Sequence, residues 1–513
     1  MPKPKSRLEE IRNIRLGKVD KLRKLGIEPY PARSKKDHSN AYVLDNFKKF
    51  EGKTITLTGR LMSWREHGNI AFGHIQDESG QIQLFIQKKL LGKTSKKDQI
   101  LGFKDAMKLL DIGDFVQATG KVGKTVRGEI SLLPNELKIL TKTIRPLPEK
   151  RKGLKDIEQK YRKRYLDILM NSDTKILLDA RWLIEKETRD FLWGEGYTEV
   201  ETPVLQEIYG GTNAKPFKTH MNALSSDFYL RVAPELYLKR LTVGGYEKIF
   251  EIARNFRNEG IDATHQPEFT MIEWYEAYGD YNSIMDTTEA LTRRLVKKIY
   301  GDTKLKVNGK TIDVGSKWPR EPMTQLIKKH LDLDVEKMSE ADLKKTMKEN
   351  KLELIGTFSG GKAIFTIFDH LVTKKLIDPI WVIDYPIEVC PLQKEHPDKK
   401  GYAERFEGYI GGIEYCDGWT EINDPIDQRG RFVNEQKNMR AGDDEAHPLD
   451  ENFVESLEYG MPPMGGIGIG IDRLVMFLTD TWFIRKVIPF PTLRPSAKKS
   501  AESKKKNDKK KST

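Results

Sequence analysis

The sequence predicts an α+β protein with a β-barrel near its N-terminus and a larger domain of strands and helices after it. Six short strand-like segments follow one another over residues 54 to about 140, separated by turn residues such as Glu78-Ser79-Gly80. This pattern indicates a five-stranded barrel. Further along, two alternating segments at 248–257 and 268–275 flank a polar loop, which is typical of a hairpin of half-buried strands.

Composition limits the class of protein. A chain of 513 residues allows two to four domains. No apolar run approaches the length of about 20 residues that a membrane span needs, and the lysine-rich start lacks the apolar core of a signal peptide. We therefore expect a cytoplasmic protein without a membrane partner. Two cysteines, Cys390 and Cys416, are too few for a disulfide framework or a multi-thiolate zinc site.

The net charge of +13 fits a polyanionic partner, although residues 496–513 contribute eight lysines against one Glu and one Asp. Such an end is also typical of a disordered, solubilising tail. At the other end, residues 7–25 place Leu8, Ile11, Val19 and Leu22 near one side of a basic helix. That helix either packs on its neighbour or contacts nucleic-acid phosphates, and the pattern leaves both open.

The barrel segment carries a helical stretch at 103–110, between its third and fourth strands. An OB-fold has its helix at this place, and OB-folds bind single-stranded nucleic acid through stacking aromatics and hydrogen bonds to base edges. Prolines and charges at 141–165 indicate a linker. We expect the following segments: a helical N-terminal extension at 1–48, the barrel at 49–145, a linker at 146–165, a second domain at 166–495 with a helical insertion at about 300–376, and the tail at 496–513.

The second strand of the predicted hairpin has an unusual face. Period-two geometry places Phe269, Met271, Glu273 and Tyr275 on one side. Two rings and a carboxylate make a poor core but a plausible pocket. Arg257 ends the first strand beside this face, where a guanidinium can bind a carboxylate or phosphate through two parallel hydrogen bonds. The hairpin therefore predicts a site for an anionic ligand that carries a ring.

Three segments of the sequence resemble the signatures of the class II aminoacyl-tRNA synthetases. FRNEG at 256–260 with HQPEFTMIEWY at 265–275 is similar to the second signature, GIGIGIDR at 466–473 to the third, and TEVETP at 198–203 to the first. They stand in the family's order, and the resemblance covers residues 7 to 495. It is closest to the lysyl-tRNA synthetases, which implies a catalytic domain with an antiparallel sheet flanked by helices. The helix at 176–196 and the TEVETP strand would then form a homodimer interface.

The resemblance implies ATP-dependent activation of L-lysine to lysyl-adenylate and transfer of lysine to the 3′ end of tRNA(Lys). Expelling pyrophosphate from ATP needs positioning and charge neutralisation more than acid–base catalysis. Arg257 would bridge the lysine carboxylate and the α-phosphate, and Arg473 would hold the γ-phosphate. Phe269 would stack on adenine with Arg473 on the opposite side. The remaining ATP contacts implied are Glu259, His265, Gly468 and Gly470.

The same resemblance implies the metal and lysine ligands. Glu407 and Glu414 would hold Mg²⁺ together with phosphate oxygens and water. Glu421 and Tyr275 would hold the ε-ammonium of lysine, whereas Glu235 and the Gly211 backbone would hold its α-ammonium. Glu273, Asp417 and Trp419 would complete the pocket. Because the metal already has two carboxylates, the others need a different cation, and a bound ammonium supplies it.

In the barrel, the resemblance assigns anticodon contacts. Phe72 would stack on a base, Gln83 and Glu129 would hydrogen bond to base edges, and Arg65 would lie on the backbone; for Phe72, a place in the barrel core is the alternative. The chain departs from the family at four positions: Asp417 and Trp419 replace the usual Asn and Phe, Cys390 replaces a serine, and Trp64 precedes Arg65 where some relatives have a second basic residue.

Three other functions share parts of this pattern. An aspartate–tRNA or asparagine–tRNA ligase has both domains, but its pocket needs basic residues where this chain has Glu273 and Glu421. A paralogue that lysylates a protein such as elongation factor P lacks the barrel. An inactive RNA-binding regulator would have lost Arg257, Arg473 or Glu421, and all three are present.

Overall fold

The computed structural model describes residues 6–148, 154, 156–354, 358–440 and 448–495. The chain divides into two compact units, Met1–Lys155 and Asp156–Thr513. The predicted tail at 496–513 and most of residues 149–155 lie outside the described residues. Among the helices of the described residues, none combines the length and the apolar character needed to cross a membrane.

The first unit is a closed five-stranded barrel with strand order β1-β2-β3-β5-β4. Alternating buried and partly exposed residues along each strand fill the barrel with aliphatic side chains and leave the other face to solvent. The predicted helix between the third and fourth strands is present as α5. The elements are α1 (Arg7–Lys24), α2 (Asn40–Asp45), α3 (Phe47–Phe50), β1 (Thr54–His67), β2 (Ile70–Gln76), β3 (Gln81–Gln87), α4 (Lys88–Leu91), α5 (Phe103–Leu109), β4 (Phe115–Lys124) and β5 (Ile130–Thr141).

Helix α1 packs within this first unit. Val19 and Leu22 are buried, whereas Leu8 is 44% exposed, so the apolar side of the helix is packed only towards its C-terminal end. Arg15 is also buried, and its guanidinium donates to the Thr143 hydroxyl at 2.7 Å and to the Ile112 carbonyl at 3.1 Å. A buried guanidinium that satisfies backbone carbonyls can replace an apolar contact, which apolar periodicity cannot anticipate.

The second unit is built on an eight-stranded sheet with order β14-β15-β16-β17-β18-β11-β10-β6. The strands of the whole unit, which also has two small sheets, are β6 (Thr198–Glu199), β7 (Leu205–Gln206), β8 (Phe217–Met221), β9 (Ser226–Leu230), β10 (Lys248–Phe256), β11 (Glu268–Ala277), β12 (Lys304–Val307), β13 (Lys310–Asp313), β14 (Arg320–Pro322), β15 (Ile380–Pro386), β16 (Tyr402–Ile410), β17 (Ile413–Thr420) and β18 (Met464–Gly470). Its α-helices are α6 (Ile157–Arg162), α7 (Arg164–Met170), α8 (Ser172–Gly194), α9 (Glu235–Val243), α10 (Tyr281–Tyr300), α11 (Met323–Leu331), α12 (Glu340–Glu349), α13 (Gly360–Leu371), α14 (Pro425–Arg440), α15 (Glu451–Glu458), α16 (Ile471–Leu478) and α17 (Ile484–Val487).

The large sheet is mixed, which corrects the expected antiparallel sheet. Its six central strands pair antiparallel, but β6 pairs parallel with β10 and β14 pairs parallel with β15 at the two edges. β6 covers only two residues of the predicted TEVETP strand. One face of the sheet packs against α8, α10 and α16 in the largest core cluster, and the other face carries the polar side chains described below.

Two predicted boundaries are corrected. The expected helical insertion at 300–376 contains α11, α12 and α13, but it begins with the β12–β13 hairpin and with β14, an edge strand of the large sheet. Strands of three or four residues are too short to show a period. The expected linker at 146–165 overlaps α6, and Arg164 is buried, with hydrogen bonds to the carbonyls of Pro489 and Ile488 at 2.9 and 2.7 Å.

Candidate functional site

A pocket of about 240 Å³ lies on the polar face of the large sheet, over β11, β17 and β18. Fourteen of the predicted site residues line it: Gly211, Glu235, Arg257, Glu259, His265, Phe269, Glu273, Tyr275, Glu414, Asp417, Trp419, Gly468, Gly470 and Arg473. Glu407 and Glu421 do not line it; each lies next to a residue that does. The hairpin β10–β11 forms with the predicted strands, and all four residues of its predicted face line the pocket.

A row of carboxylates crosses this face of the sheet. Glu407, Asp417, Gly468, Glu273 and Glu251 are direct neighbours on five successive strands. Adjacent strands lie about 4.8 Å apart, so like charges would repel strongly here unless cations or protons intervene. The glycine in the middle of the row has no side chain, and the place of its Cβ lies 3.0 Å from the Cε atom of Met271.

Basic side chains of the protein neutralise most of this row. Arg405 donates to both oxygens of Asp417 at 2.9 and 2.8 Å and to Glu407 at 2.8 Å. Arg231 donates to Glu251 at 2.6 Å. Glu273 has no ion-pair partner among the described residues and accepts only the Tyr275 hydroxyl, at 3.0 Å. Burial raises the pKa of Glu273 well above its ordinary value, and the nearby Glu235 adds to the shift.

Lys239 supplies a further cation inside the protein. It lies on α9 four residues after Glu235 and is fully buried. Its Nζ atom is 2.5 Å from Glu235 Oε1 and 2.5 Å from Glu421 Oε2. The expectation that these carboxylates lack a protein counter-charge is therefore wrong for Glu235, Glu421 and Asp417, because an internal lysine and an arginine reach them. In the described part of the chain, Glu273 is the one carboxylate at the amino-acid end of the pocket for which this expectation holds.

At the other end of the pocket, Arg257 lies over the Phe269 ring, with its guanidinium carbon 5.1 Å from the ring centre. Its Nε atom is buried and has no hydrogen-bond partner among the described residues. Burial lowers the pKa of Arg257, and the carboxylate of Glu259 opposes this shift. The guanidinium therefore has free donors for an anionic ligand beside an aromatic ring.

Arg473 contacts His265, with its Nη2 atom 2.8 Å from His265 Nε2. Because a guanidinium only donates, Nε2 must accept, and Nδ1 then donates to Asp262 at 2.8 Å. Burial raises the pKa of Asp262, but hydrogen bonds from Thr264 and His265 outweigh it and bring the pKa to about 2. The loop thus presents Arg473 and His265 side by side at the mouth of the pocket.

Asp472 ties the elements of the site together. Its buried carboxylate accepts from Arg181 of α8 and, at 2.8 Å, from the backbone N–H of Thr270 on β11. Arg181 also donates to the Thr270 hydroxyl at 3.1 Å. The start of α16, the middle of α8 and the ligand-facing strand β11 are therefore held in one register, which fixes Arg473 relative to Phe269.

Two glycines give the pocket its shape. Gly211 has φ +95°, and a Cβ there would lie 2.9 Å from the Cβ of Glu235, so only glycine lets this loop approach α9. A Cβ on Gly466 would collide with the ring of Tyr275 and with Oε1 of Glu421. Gly466 thus allows Tyr275 and Glu421 to lie beside the sheet backbone.

The two predicted metal ligands have different surroundings. Glu414 lines the pocket and has no hydrogen bond to any described residue, whereas Glu407 binds Arg405 and the Tyr409 hydroxyl at 2.8 and 2.5 Å. Burial raises the pKa of Glu407 to about 8; Arg405 opposes this and Glu414 adds to it. No cluster of three or more metal-binding side chains occurs in the described part of the chain, so other ligands would have to complete a cation site here.

The solvent face of the barrel brings the four predicted anticodon residues together. Arg65 pairs with Phe72 across β1 and β2, and Phe72 stacks on Phe85 with ring centres 5.0 Å apart. Phe72 is half-exposed and lies outside the barrel core, so the core alternative is wrong. Gln83 donates to Glu129 at 2.6 Å. A flat aromatic pair beside polar side chains is suited to stacking a base and reading its edge.

Sequence reasoning missed several residues that complete these sites. Phe85 and His74 belong to the barrel face; the period of two on β2 and β3 could have found both. Lys239 and Arg405 neutralise pocket carboxylates. The spacing of four residues between Glu235 and Lys239 on a helix is a signal for an ion pair, but Glu421 reaches the same nitrogen only through tertiary packing.

Comparison with known proteins places this fold and site in one class. Residues 156–494 match the family described as tRNA synthetases class II (D, K and N). Residues 55–140 match the OB-fold nucleic acid binding domain. The two matches correspond to the sheet that carries the pocket and to the barrel, and together they define a class II tRNA synthetase.

Whole-chain relatives narrow the class. A lysine–tRNA ligase of Pelotomaculum thermopropionicum is 46% identical over 95% of this chain and 96% of its own length. Lysine–tRNA ligases of Clostridium acetobutylicum and of a Thermoanaerobacter species are each 44% identical, over 96% and 95% of this chain and over 95% and 97% of their own lengths. The chain belongs to the lysine–tRNA ligase family of class II synthetases.

Proposed function

We propose that this protein activates L-lysine with ATP to lysyl-adenylate and transfers lysine to the 3′ end of tRNA(Lys). One observation carries the proposal: a single pocket has free guanidinium donors over an aromatic ring at one end and a carboxylate without a counter-ion at the other. Such a pocket accepts a nucleotide and a cationic amino acid together. The family to which the chain belongs performs this reaction class.

At the nucleotide end, adenine stacks on Phe269 while Arg257 bridges the lysine carboxylate and the α-phosphate. Negative charge grows on the α-phosphate as the carboxylate attacks it, and a preorganised guanidinium stabilises that charge. Arg473 and His265 lie at the pocket mouth, where they meet the outgoing pyrophosphate; Glu259 and the Gly468 and Gly470 backbone complete the nucleotide contacts.

At the amino-acid end, Glu273 is the carboxylate that most needs a cation, and Glu235 and Glu421 each share one internal lysine. The α-ammonium lies by Glu235 and Gly211, and the ε-ammonium by Glu421 and Tyr275. An aspartate or asparagine substrate would bring a carboxylate or an amide to this acidic end, where it would be repelled or left without a donor. The pocket chemistry thus argues against the aspartate–tRNA and asparagine–tRNA ligase alternatives.

Mg²⁺ fits beside Glu414 and Glu407. With its three carboxyls ionised, the group formed by Glu407, Glu414, Asp417 and Arg405 has two more negative charges than positive ones, and a divalent cation would balance them. The two glutamates supply hard oxygen ligands, and phosphate oxygens and water supply the rest, as is usual for Mg²⁺. When bound, the ion neutralises phosphate charge, while Arg405 keeps Glu407 oriented.

The barrel face formed by Arg65, Phe72, Phe85, Gln83 and Glu129 is the proposed contact for the tRNA anticodon. An additional tRNA contact from α1 remains compatible with its outward lysines and arginines.

We also propose a homodimer that acts in the cytoplasm. Helix α8 leaves Ile176, Trp182 and Trp193 exposed by 65%, 48% and 51%, and large apolar side chains in such number on one helix suit a subunit interface. Light scattering in solution measures the mass and tests this.

Exchange of pyrophosphate into ATP tests the proposed function directly. Lysine, ornithine, aspartate and asparagine are compared with and without Mg²⁺, followed by charging of tRNA(Lys). Lysine-dependent and Mg²⁺-dependent exchange is the expected result. Exchange with aspartate or asparagine would overturn the substrate assignment, and no exchange with any amino acid would favour an RNA-binding regulator.

A further inference from the structure

The buried side chain of Lys239 is used by none of the steps above. It is fully buried on α9, yet it carries a charge: burial lowers the pKa of its ammonium, but Glu235 and Glu421 outweigh burial and bring the pKa above its ordinary value. A buried lysine is expensive unless it is paired. One carboxylate would be enough to neutralise this ammonium, but two lie 2.5 Å from its nitrogen. The second carboxylate points to a role of Lys239 in the site.

Lys239 engages one oxygen of each carboxylate and leaves the other oxygen without a bond to its ammonium. Glu421 Oε2 accepts from Lys239 and, at 2.7 Å, from the Trp419 indole, whereas Glu421 Oε1 is buried without a partner among the described residues. That atom lies against Gly466 and the Tyr275 ring. Glu235 Oε1 binds Lys239, and Oε2 lies 3.5 Å from the place of a Cβ on Gly211.

The position of one nitrogen therefore fixes both carboxylates. Glu235 Oε1 and Glu421 Oε2 cannot be further apart than twice the distance from each to Nζ, although Glu421 and Glu235 come from distant parts of the chain. Their other oxygens lie in two different places, Glu235 Oε2 by Gly211 and Glu421 Oε1 by Tyr275, and these two neighbours both line the pocket. The spacing of the two carboxylates is set by the protein before any ligand arrives, which is the preorganisation that discriminating sites need.

The number of charges in the cluster also indicates that Lys239 matches the pocket to its ligand. When Glu235, Glu273 and Glu421 are all ionised, they carry three negative charges against one positive charge on Lys239, so the cluster then needs two further positive charges. The amino acid of the proposed function has two ammonium groups, and its carboxylate is taken by Arg257. Without Lys239 the cluster would need three further positive charges. A ligand with two ammonium groups could not supply them.

We propose that Lys239 is a specificity-determining positioning residue, an internal ammonium that joins Glu235 to Glu421 and matches the pocket to a substrate with two ammonium groups. This rests on the proposed function. It assigns no contact between Lys239 and the substrate. Its effect passes through the two carboxylates, which would otherwise take up protons or turn towards other partners.

The test compares Lys239→Met with the parent in lysine-dependent pyrophosphate exchange, using lysine and norleucine, which lacks only the ε-ammonium. Removing one member of a buried ion pair leaves an uncompensated charge, and the loss corresponds to a rise of about 100-fold or more in the KM for lysine. The preference for lysine over norleucine should fall by about 10-fold or more, while the KM for ATP changes little. Lys248→Met is the matched control, since it removes an ion pair with Glu276 at 2.8 Å outside the pocket.

A merely structural role would lower kcat or stability without changing the lysine-to-norleucine ratio, and that result would overturn the inference. Lys239→Arg, which keeps the charge, should keep the ratio within about threefold and is the variant to use if Lys239→Met does not fold. Loss of the ratio in Lys239→Arg as well as in Lys239→Met, with the ATP KM intact, would assign the effect to side-chain shape and contradict the charge count. Absence of lysine-dependent exchange in the parent would instead refute the proposed function itself.

Discussion

The Nε atom of Arg257 is buried and has no hydrogen-bond partner among the described residues, and its guanidinium lies over the Phe269 ring. Lysine at this position would keep a charge but lose the planar pair of donors that a carboxylate and a phosphate can share. We expect Arg257→Lys to lower kcat for lysine-dependent pyrophosphate exchange by about 100-fold or more, as the loss of one donor to developing charge does elsewhere. Arg254→Lys is the control, because Arg254 is exposed on β10, three residues before Arg257. An unchanged kcat would refute the bridging role.

Asp417 is a residue-scale test of the metal end. Arg405 binds both of its oxygens, so its charge is matched locally, and Asp417→Asn should leave the KM for lysine within about threefold. The same change removes one of the two excess charges that favour a divalent cation. At an effective dielectric of 20 and roughly 10 Å from a doubly charged ion this is worth about 3 kcal/mol, or an Mg²⁺ requirement raised by about 100-fold or more. Titrating Mg²⁺ in the exchange assay measures it, and a raised lysine KM with an unchanged Mg²⁺ requirement would place Asp417 in the lysine site.

At the scale of elements, the solvent face of β2 and β3 should matter for tRNA and not for amino-acid activation. Phe72 and Phe85 lie nearly parallel, at 10°, and offer one continuous platform. Loss of a base stack costs about 1–3 kcal/mol, so Phe72→Leu should raise the KM for tRNA(Lys) by about 10-fold or more while lysine-dependent exchange stays normal. Tyr42→Leu, an exposed aromatic on α2, is the control. Equal effects of the two substitutions on charging would contradict the assignment.

How far the sequence predicts an element depends on whether its residues act locally. The hairpin β10–β11 has the predicted strands because alternation and a polar loop are local signals. The edge strand β14 has three residues and no readable period, and it is a strand only because β15 lies beside it. The pocket residues on β11 follow from the same alternation. Lys239 pairs with Glu235 one helical turn away, and Arg405 pairs with Asp417 across the β16–β17 hairpin, so both contacts are local. The contact of Lys239 with Glu421 could not be predicted, because it forms only after distant segments have packed together.

For the whole molecule, the buried carboxylates predict that the free protein becomes less stable as pH rises. Burial raises the pKa of Glu421 to about 8; Lys239 opposes this and Glu235 adds to it. An unfolded chain has a carboxyl pKa near 4.3, so between these values the folded state binds more protons than the unfolded state. Unfolding then releases protons, and stability falls with rising pH by about 1.4 kcal/mol per pH unit for each such group.

Glu421→Gln isolates the contribution of this one group to the pH dependence of stability, because an amide does not titrate between pH 6 and 8. The melting temperature of this variant relative to the parent should rise as pH goes from 6 to 8, and thermal unfolding at both values measures the difference. Adding lysine at pH 8 should narrow the difference in melting temperature between the variant and the parent. The ε-ammonium stabilises the ionised form of Glu421 in the parent, but it does not stabilise the amide of the variant. A relative melting temperature that stays constant or falls from pH 6 to 8 would show that Glu421 is already ionised at pH 6 and that Lys239 alone is sufficient to neutralise it.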